Sequence, residues 1–183
     1  MLICPSCGAE NLEGADTCEL CGHALAGTAI RVESSGVESA LLRDVVSVLP
    51  VHKPTVVLST TPVGEVLKHM ADDPVGCVLV ERPGEPGKLA GIFAERDAVL
   101  RLNTDNNRWR TEPIEKHMTA NPATAPADAK IAFALHKISH GGYRHLPLMR
   151  GDRAVSIVTL RDVLRYLTDR AKTVALGQRL LGS

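Results

Sequence analysis

Four cysteines within the first 21 residues form the most specific chemical pattern in the chain. They make two Cys-x-x-Cys-Gly pairs, Cys4 with Cys7 and Cys18 with Cys21, with ten residues between the pairs. In such a turn two thiolates can converge on one metal ion, and the glycine lets the backbone curl so that N–H groups approach the sulfurs. Two turns supply the four thiolates that Zn²⁺ takes in structural sites. The spacing therefore predicts one structural Zn²⁺ bound by Cys4, Cys7, Cys18 and Cys21.

A thiol redox pair is the main alternative interpretation of these cysteines. Such a pair normally lies at a strand-to-helix junction of a larger βαβ fold, which a segment of about 25 residues cannot supply. Because protein fills all four ligand positions, no position remains for a catalytic water. His23 could replace a cysteine, and His136 and His140 have the i, i+4 spacing of a metal pair. We expect His23 to be exposed to solvent, and His136 and His140 to lie near the end of a helix, where histidine is favourable.

The segment from Cys4 to Gly22 resembles the short zinc-ribbon family with two CPxCG-type knuckles, and the resemblance covers residues 3 to 25. A segment of this size cannot bury a core, so metal binding should supply its folding free energy. The resemblance implies a structural ribbon at the N-terminus that also serves for interaction.

The rest of the chain contains an internal repeat. Residues 91–102 align with residues 156–167 at an offset of 65. Upstream, an i, i+3, i+4, i+7 stripe typical of an amphipathic helix recurs at an offset of 68. The stripe consists of Val63, Val66, Leu67 and Met70 in the first copy and Ile131, Ala134, Leu135 and Ile138 in the second. The difference of three residues falls in a turn, where a hairpin tolerates changes of length.

Each copy has the pattern β-α-β-β-α. The predicted strands are residues 55–58, 77–80 and 89–93 in the first copy and 123–125, 146–149 and 154–158 in the second. One three-stranded sheet with helices on one side leaves a bare face, so the copies should pack about a pseudo-two-fold axis. The predicted fold class is α/β (α+β). The predicted domains are residues 1–26 (ribbon), 27–37 (linker), 38–110 (repeat 1) and 111–183 (repeat 2 with a C-terminal helical extension).

This repeat resembles a pair of cystathionine-β-synthase (CBS) domains, also called a Bateman module. The resemblance rests on residues 91–97, 156–162, 140–148 and 114–119, and it spans residues 40 to 172. It implies a non-enzymatic regulatory or energy-sensing module that binds an adenosine nucleotide, AMP, ADP or ATP, in clefts between the copies. The regulated partner is a protein that the sequence does not identify.

The resemblance also implies which residues touch the nucleotide. Asp162 would hold the ribose, Thr159 and Arg161 would meet phosphate, and Asp97 would correspond to Asp162 in repeat 1. The base would be bordered by Thr124, Ala125 and the backbone of His145, Leu146 and Pro147. A capping box at the start of the last helix is a second explanation of Thr159 and Asp162, and the two explanations are compatible.

The two candidate nucleotide sites are expected to differ. Repeat 1 has Ala94 where repeat 2 has Thr159, so it lacks the hydroxyl. Repeat 2 has Ser156 in place of the family's usual glycine, which puts a Cβ where the backbone is expected to approach the ligand.

Composition limits the possible partners. The chain of 183 residues has 21 basic and 21 acidic residues and only 3% aromatic residues, which argues against nucleic acid as a partner. It contains no apolar run of the roughly 20 residues that cross a bilayer, and its first residues lack the pattern of a secretory signal, so we expect a cytoplasmic protein without membrane contact. Apolar positions along the C-terminal helix favour a homodimer.

Two other classes of function are compared with this hypothesis. The alternative is a ligand-free interaction scaffold whose zinc ribbon docks on protein or nucleic acid. A zinc enzyme or thiol oxidoreductase has the least support, because the sequence offers no open metal site and no Ser/His/Asp arrangement.

Overall fold

The structure is a computed structural model that describes residues 2–4, 6–11, 15–25, 36–50, 52–102 and 105–181. The chain divides into two compact units. The first unit comprises residues 1–50, 127–146 and 158–183, and the second comprises residues 51–126 and 147–157. Most of the predicted linker, residues 27–35, lies outside the described residues, and its last two residues belong to the first helix.

The predicted order of strands and helices is present in both copies, as β3-α2-β4-β5-α3 and β7-α4-β8-β9-α5. The helices are α1 (Gly36–Arg43), α2 (Val63–Ala71), α3 (Glu95–Arg101), α4 (Ile131–Gly141) and α5 (Leu160–Leu181). The strands are β1 (Leu2–Ile3), β2 (Glu10–Asn11), β3 (Val56–Leu58), β4 (Cys77–Glu81), β5 (Leu89–Ala94), β6 (Thr119–Ala120), β7 (Ala125–Pro126), β8 (His145–Arg150) and β9 (Arg153–Thr159).

The second unit is built on a sheet with strand order β3-β4-β5-β6. Strand β3 runs parallel to β4, and β4 and β5 form an antiparallel hairpin. The predicted stripe on α2 is confirmed, because Val63, Val66 and Met70 are buried and pack with Phe93 of β5. Strand β4 is buried along Cys77–Val80, as an apolar run between two covered faces should be.

The first unit brings α1, α4 and α5 together. Helix α4 buries Ile131, Ala134 and Ile138, which confirms the second predicted stripe. The helix ends where Gly142 adopts φ 63° and its N–H bonds the Ile138 carbonyl at 3.1 Å, a left-handed stop that glycine takes without steric cost. The sheet of repeat 2 has the strand order β7-β8-β9, with β7 parallel to β8, and most of its residues belong to the second unit.

Asp44, directly after α1, ties this helix to α5. The Tyr166 hydroxyl donates to Asp44 Oδ2 at 2.6 Å, and Arg170 Nη2 donates to the same oxygen at 2.7 Å. The Tyr166 hydrogen bond lowers the pKa of Asp44, burial opposes that change, and the nearby Arg170 lowers the pKa further. The carboxylate of Asp44 is therefore more stable in the folded chain than in the unfolded chain.

We expect Tyr166→Phe to lower the free energy of unfolding at pH 7 by about 1.5 kcal/mol, because it removes a hydrogen bond to a charged group. Stability from a carboxyl with a lowered pKa is present above its ordinary pKa, about 3.9, and is lost as the pH falls through the folded value. The wild type should therefore lose more stability than Tyr166→Phe as the pH falls below 4. Urea denaturation measures both effects.

Tyr143→Phe is the matched control, because burial alone raises the pKa of Tyr143. Equal acid sensitivity in wild type and Tyr166→Phe would contradict the role of the Asp44 bond.

Candidate functional site

The four cysteine sulfurs of the ribbon form a compact cluster. Cys4 Sγ lies 3.6 Å from Cys21 Sγ, and Cys7 Sγ lies 3.5 Å from Cys18 Sγ. All four sulfurs lie within 4.8 Å of one another. Four sulfurs at about 2.3 Å from one Zn²⁺ would be about 3.8 Å apart, whereas a disulfide needs about 2.05 Å. The cluster thus fits a tetrahedral metal ion and contains no disulfide.

The backbone of the two knuckles is built in the same way. Gly8 N–H donates to the Cys4 carbonyl at 2.9 Å, and Gly22 N–H donates to the Cys18 carbonyl at 2.8 Å. Both glycines have left-handed φ angles, 74° and 70°. A side chain would be strained there, which explains why glycine follows each cysteine pair.

Burial and hydrogen bonds shift the pKa values of the cysteine thiols in different directions. Burial would raise the pKa of Cys18, but N–H groups of Cys21 and Leu20 and the neighbouring thiols outweigh it and lower the pKa to about 6. Burial raises the pKa of Cys7, against the N–H of Ala9. Backbone N–H groups thus point at the sulfurs, as they do in thiolate sites where they disperse the ligand charge.

The ribbon contacts α4 within the first unit. The ring of His23 meets the ring of His136 edge-on, with centroids 5.7 Å apart, and His136 lies 4.3 Å from His140. Burial lowers the pKa of His136, His140 and His23 lower it further, and a hydrogen bond with the Cys21 backbone opposes the change. The i, i+4 spacing indicates the contact between His136 and His140, but nothing in the sequence indicates the contact of His23, which is half-buried and not exposed as expected.

Among the described residues, the cysteine cluster is the only group of three or more Cys, His, Asp or Glu side chains whose ligand atoms converge. The three histidines do not converge in this way.

Thr159 and Asp162 form a capping arrangement at the start of α5. Thr159 N–H and Oγ1 donate to Asp162 Oδ2 at 2.9 and 2.6 Å, and Asp162 N–H donates to Thr159 Oγ1 at 3.2 Å. Asp162 is only 3% exposed. It borders a cavity of about 350 Å³ in the first unit, together with Val48, Leu49, Pro50, Arg165, Tyr166, Asp169, Arg170 and Thr173. The cap and the cavity therefore share one carboxylate.

Asp97 has the same place at the start of α3 in repeat 1. Its Oδ2 accepts the Ala94 N–H at 3.0 Å, as Asp162 does from Thr159. Its other oxygen accepts the Thr119 hydroxyl at 3.2 Å and lies 3.2 Å from Arg101 Nη2. The contact of Arg101 with Asp97 was not predicted, although their i, i+4 spacing on a helix permits it.

The remaining predicted site residues are distributed over both units. Thr124 and Ala125 line a cavity of about 550 Å³ in the second unit, next to Asn121 and Met149. On β8, Leu146 and Pro147 are buried and His145 is half-buried; Arg161, on α5, is exposed. These last four residues do not line that cavity.

Comparison with known proteins identifies two families in the chain. The CBS domain family model matches residues 42–103 and 114–169, and the zinc-ribbon domain model matches residues 3–25. None of the helices that the structure describes combines the length and the hydropathy of a membrane-spanning segment.

Curated relatives match only part of this chain. A 17.7 kDa uncharacterized protein of Acidianus ambivalens is 30% identical over 125 residues, which cover 68% of this chain and 73% of the relative. The CBS domain-containing protein CBSCBSPB5 of Arabidopsis thaliana is 36% identical over 88 residues, 48% of this chain, and the match spans only 16% of that longer protein.

Solved structures share the fold. The CBS domain pair of protein MJ0100, in complex with 5′-methylthioadenosine and S-adenosyl-L-methionine, is 25% identical with a TM-score of 0.57, and the match covers 67% of this chain and 98% of that chain. A CBS domain protein from Pyrobaculum aerophilum is 21% identical with a TM-score of 0.58, and the match covers 69% of this chain and 99% of that chain.

Proposed function

The chain belongs to the CBS domain family and carries an N-terminal zinc ribbon, and on this premise we propose that it is a non-enzymatic regulatory or energy-sensing module that binds an adenosine-containing ligand. The observation that carries the proposal is Asp162, a carboxylate at a helix start beside a cavity of about 350 Å³. The complex of the MJ0100 domain pair with two adenosine compounds supports this ligand class.

The proposed ligand is AMP, ADP or ATP. Asp162 accepts hydrogen bonds from the ribose hydroxyls, a geometry in which a charged acceptor strengthens each bond. Thr159 and Arg161 contact phosphate near the N-terminus of α5, where the helix dipole favours negative charge. To do so the Thr159 hydroxyl turns away from Asp162 Oδ2, to which it donates in the structure. Thr124, Ala125, His145, Leu146 and Pro147 remain predictions for the base.

The cysteine cluster is proposed to hold one structural Zn²⁺. Four thiolates suit zinc, and they leave no position for a substrate. Cysteines must stay reduced to bind zinc, as they do in a reducing compartment, and this supports a cytoplasmic location. We assign residues 1–26 to the ribbon, 38–110 to repeat 1 and 111–183 to repeat 2, and we expect the ribbon to contact the regulated protein.

Calorimetric titration with AMP, ADP, ATP and S-adenosylmethionine tests the proposed function. At least one of these compounds should bind, and mass spectrometry of small molecules released from freshly purified protein should detect the compound that occupies the site in the cell. If none binds and none is released, the proposal is wrong and the ligand-free scaffold is favoured.

The protein is expected to form a homodimer through exposed aliphatic side chains on its helices. Leu164 on α5 is 52% exposed, and Val99 and Leu100 on α3 are 81% and 70% exposed. Val99 and Leu100 are adjacent in the chain, and exposed large apolar groups mark association surfaces when they are clustered. At tens of micromolar protein, light scattering should give about twice the chain mass of 19.6 kDa.

The variant Leu164→Glu should shift the dimer toward monomer, and Arg165→Glu, at the neighbouring exposed position, is the control for added charge. A wild-type mass equal to that of one chain would contradict the dimer.

A further inference from the structure

Arg101, in the last turn of α3, is held by three hydrogen bonds and one ion pair. Its Nη1 donates to the carbonyl of His117 at 2.8 Å and to the carbonyl of Met118 at 2.6 Å. Its Nη2 donates to Thr119 Oγ1 at 2.9 Å and lies 3.2 Å from Asp97 Oδ1. The Thr119 hydroxyl donates in turn to the same carboxylate oxygen. Bonds to His117, Met118 and Thr119 therefore fix the guanidinium beside Asp97.

This network saturates much of the Asp97 carboxylate. A carboxylate offers about four lone-pair positions. Two of them accept hydrogen bonds from Ala94 N–H and the Thr119 hydroxyl, and the oxygen that Thr119 bonds also faces the Arg101 guanidinium at 3.2 Å. A ribose diol would need two acceptor positions, so it would have to displace the guanidinium or the Thr119 hydroxyl.

Repeat 2 differs at the corresponding position. The offset of 65 that aligns Asp97 with Asp162 places Tyr166 where repeat 1 has Arg101. Tyr166 turns its hydroxyl to Asp44, at 2.6 Å. The positive side chain four residues after the carboxylate is thus a property of repeat 1 alone.

From these contacts we infer that Arg101 is an internal counter-ion that closes the repeat-1 carboxylate to ribose, so that each chain binds a single adenosine ligand through repeat 2. The inference rests on the proposed function and specifies its stoichiometry. A neutral hydroxyl of ribose cannot replace the charge of the guanidinium, and displacing Arg101 would also break its bonds to the two carbonyls.

The partial exposure of Arg101 to solvent does not open the Asp97 carboxylate to ribose. The Arg101 side chain is 41% exposed, so water screens its ion pair with Asp97, whose side chain is 17% exposed. The closure therefore depends on the position of Arg101 more than on its Coulomb energy, and that position is set by the carbonyl bonds. Lysine carries the charge but cannot make the same set of forked contacts.

Calorimetric titration of the full chain with AMP, ATP and S-adenosylmethionine in turn tests the inference. Wild type should bind one equivalent of the compound that binds. Arg101→Tyr, which copies repeat 2, should bind two equivalents, the second with lower affinity because Ala94 supplies no hydroxyl. The double variant Arg101→Tyr with Asp97→Asn should return to one equivalent, which assigns the new site to Asp97. Circular dichroism and thermal unfolding establish that each variant is folded.

The outcomes separate this inference from the proposed function. No binding to wild type would reject the proposed function. Two equivalents bound to wild type would leave the function intact and overturn the closure by Arg101. One equivalent bound to both wild type and folded Arg101→Tyr would also overturn it, because the closure would then have another cause.

Discussion

Asp162→Ala is expected to weaken binding of the adenosine ligand at least tenfold. Hydrogen bonds to a charged acceptor contribute roughly 1.5 to 3 kcal/mol each, and a tenfold change in affinity corresponds to about 1.4 kcal/mol. The free energy lost with two bonds to the ribose should therefore exceed about 1.4 kcal/mol, even after hydrogen bonds to water compensate for part of it. Thr159→Ala removes a neutral contact of about 0.5 to 1.5 kcal/mol and should have the smaller effect.

The capping role of Asp162 predicts a separate effect on stability. Loss of a helix cap costs about 1 kcal/mol in folding free energy and leaves the affinity of the folded protein nearly unchanged. Asp97→Ala is the matched control, because Asp97 also accepts the N–H at the start of its helix, from Ala94 at 3.0 Å. Both variants should be less stable, and only Asp162→Ala should lose affinity strongly.

Calorimetric titration under conditions in which both variants are folded compares their affinities, and urea denaturation compares their stabilities. Equal affinity in wild type and Asp162→Ala would contradict the ribose role and would leave the cap as the function of this carboxylate.

The repeat architecture could be predicted because its signals are periodic and occur twice. The stripes of α2 and α4 are both buried as expected, since an amphipathic helix hides one face. Strand β6, Thr119–Ala120, was not predicted, because two residues carry no alternation. It adds a fourth strand to the sheet β3-β4-β5 by pairing with β5, a contact set by tertiary structure.

The candidate sites show the same difference between local sequence signals and tertiary contacts. The cysteine cluster was predicted because its ligands lie in two local turns whose spacing is visible in the sequence. The contact of Arg101 with His117 and the contact of His23 with His136 were not predicted, because each joins residues far apart in the chain. Local spacing therefore indicated which thiols converge, whereas the contacts of Arg101 beyond its own helix required the structure.

Removal of zinc is expected to unfold the ribbon. Wild type should hold one Zn²⁺ per chain, and Cys18→Ser should hold far less, because one of the four converging thiolates is lost. Structural zinc binding contributes roughly 10 to 16 kcal/mol in isolated zinc-finger peptides, more than a segment of this size can replace by burial. Elemental analysis of protein made with adequate zinc measures the loss.

Cys77→Ala is the matched control for loss of a cysteine. Cys77 is fully buried on β4, and burial raises its pKa to about 12, so it is an inert thiol away from the cluster. This variant should keep one Zn²⁺ per chain. A disulfide between Cys4 and Cys7, or less than one Zn²⁺ in wild type, would contradict the assigned centre.

Hydrogen exchange after chelation locates the effect in the chain. Residues 3–25 should lose protection, since the metal supplies most of their folding free energy. The turn of α4 around His136 should lose less, because it loses only the ring contact with His23 and the bond to the Cys21 backbone. The sheet β3-β4-β5 should keep its protection, since its core of Val63, Val66, Val78 and Phe93 contains no residue of the ribbon. Loss of protection throughout that sheet would mean that the zinc ribbon stabilises the whole chain.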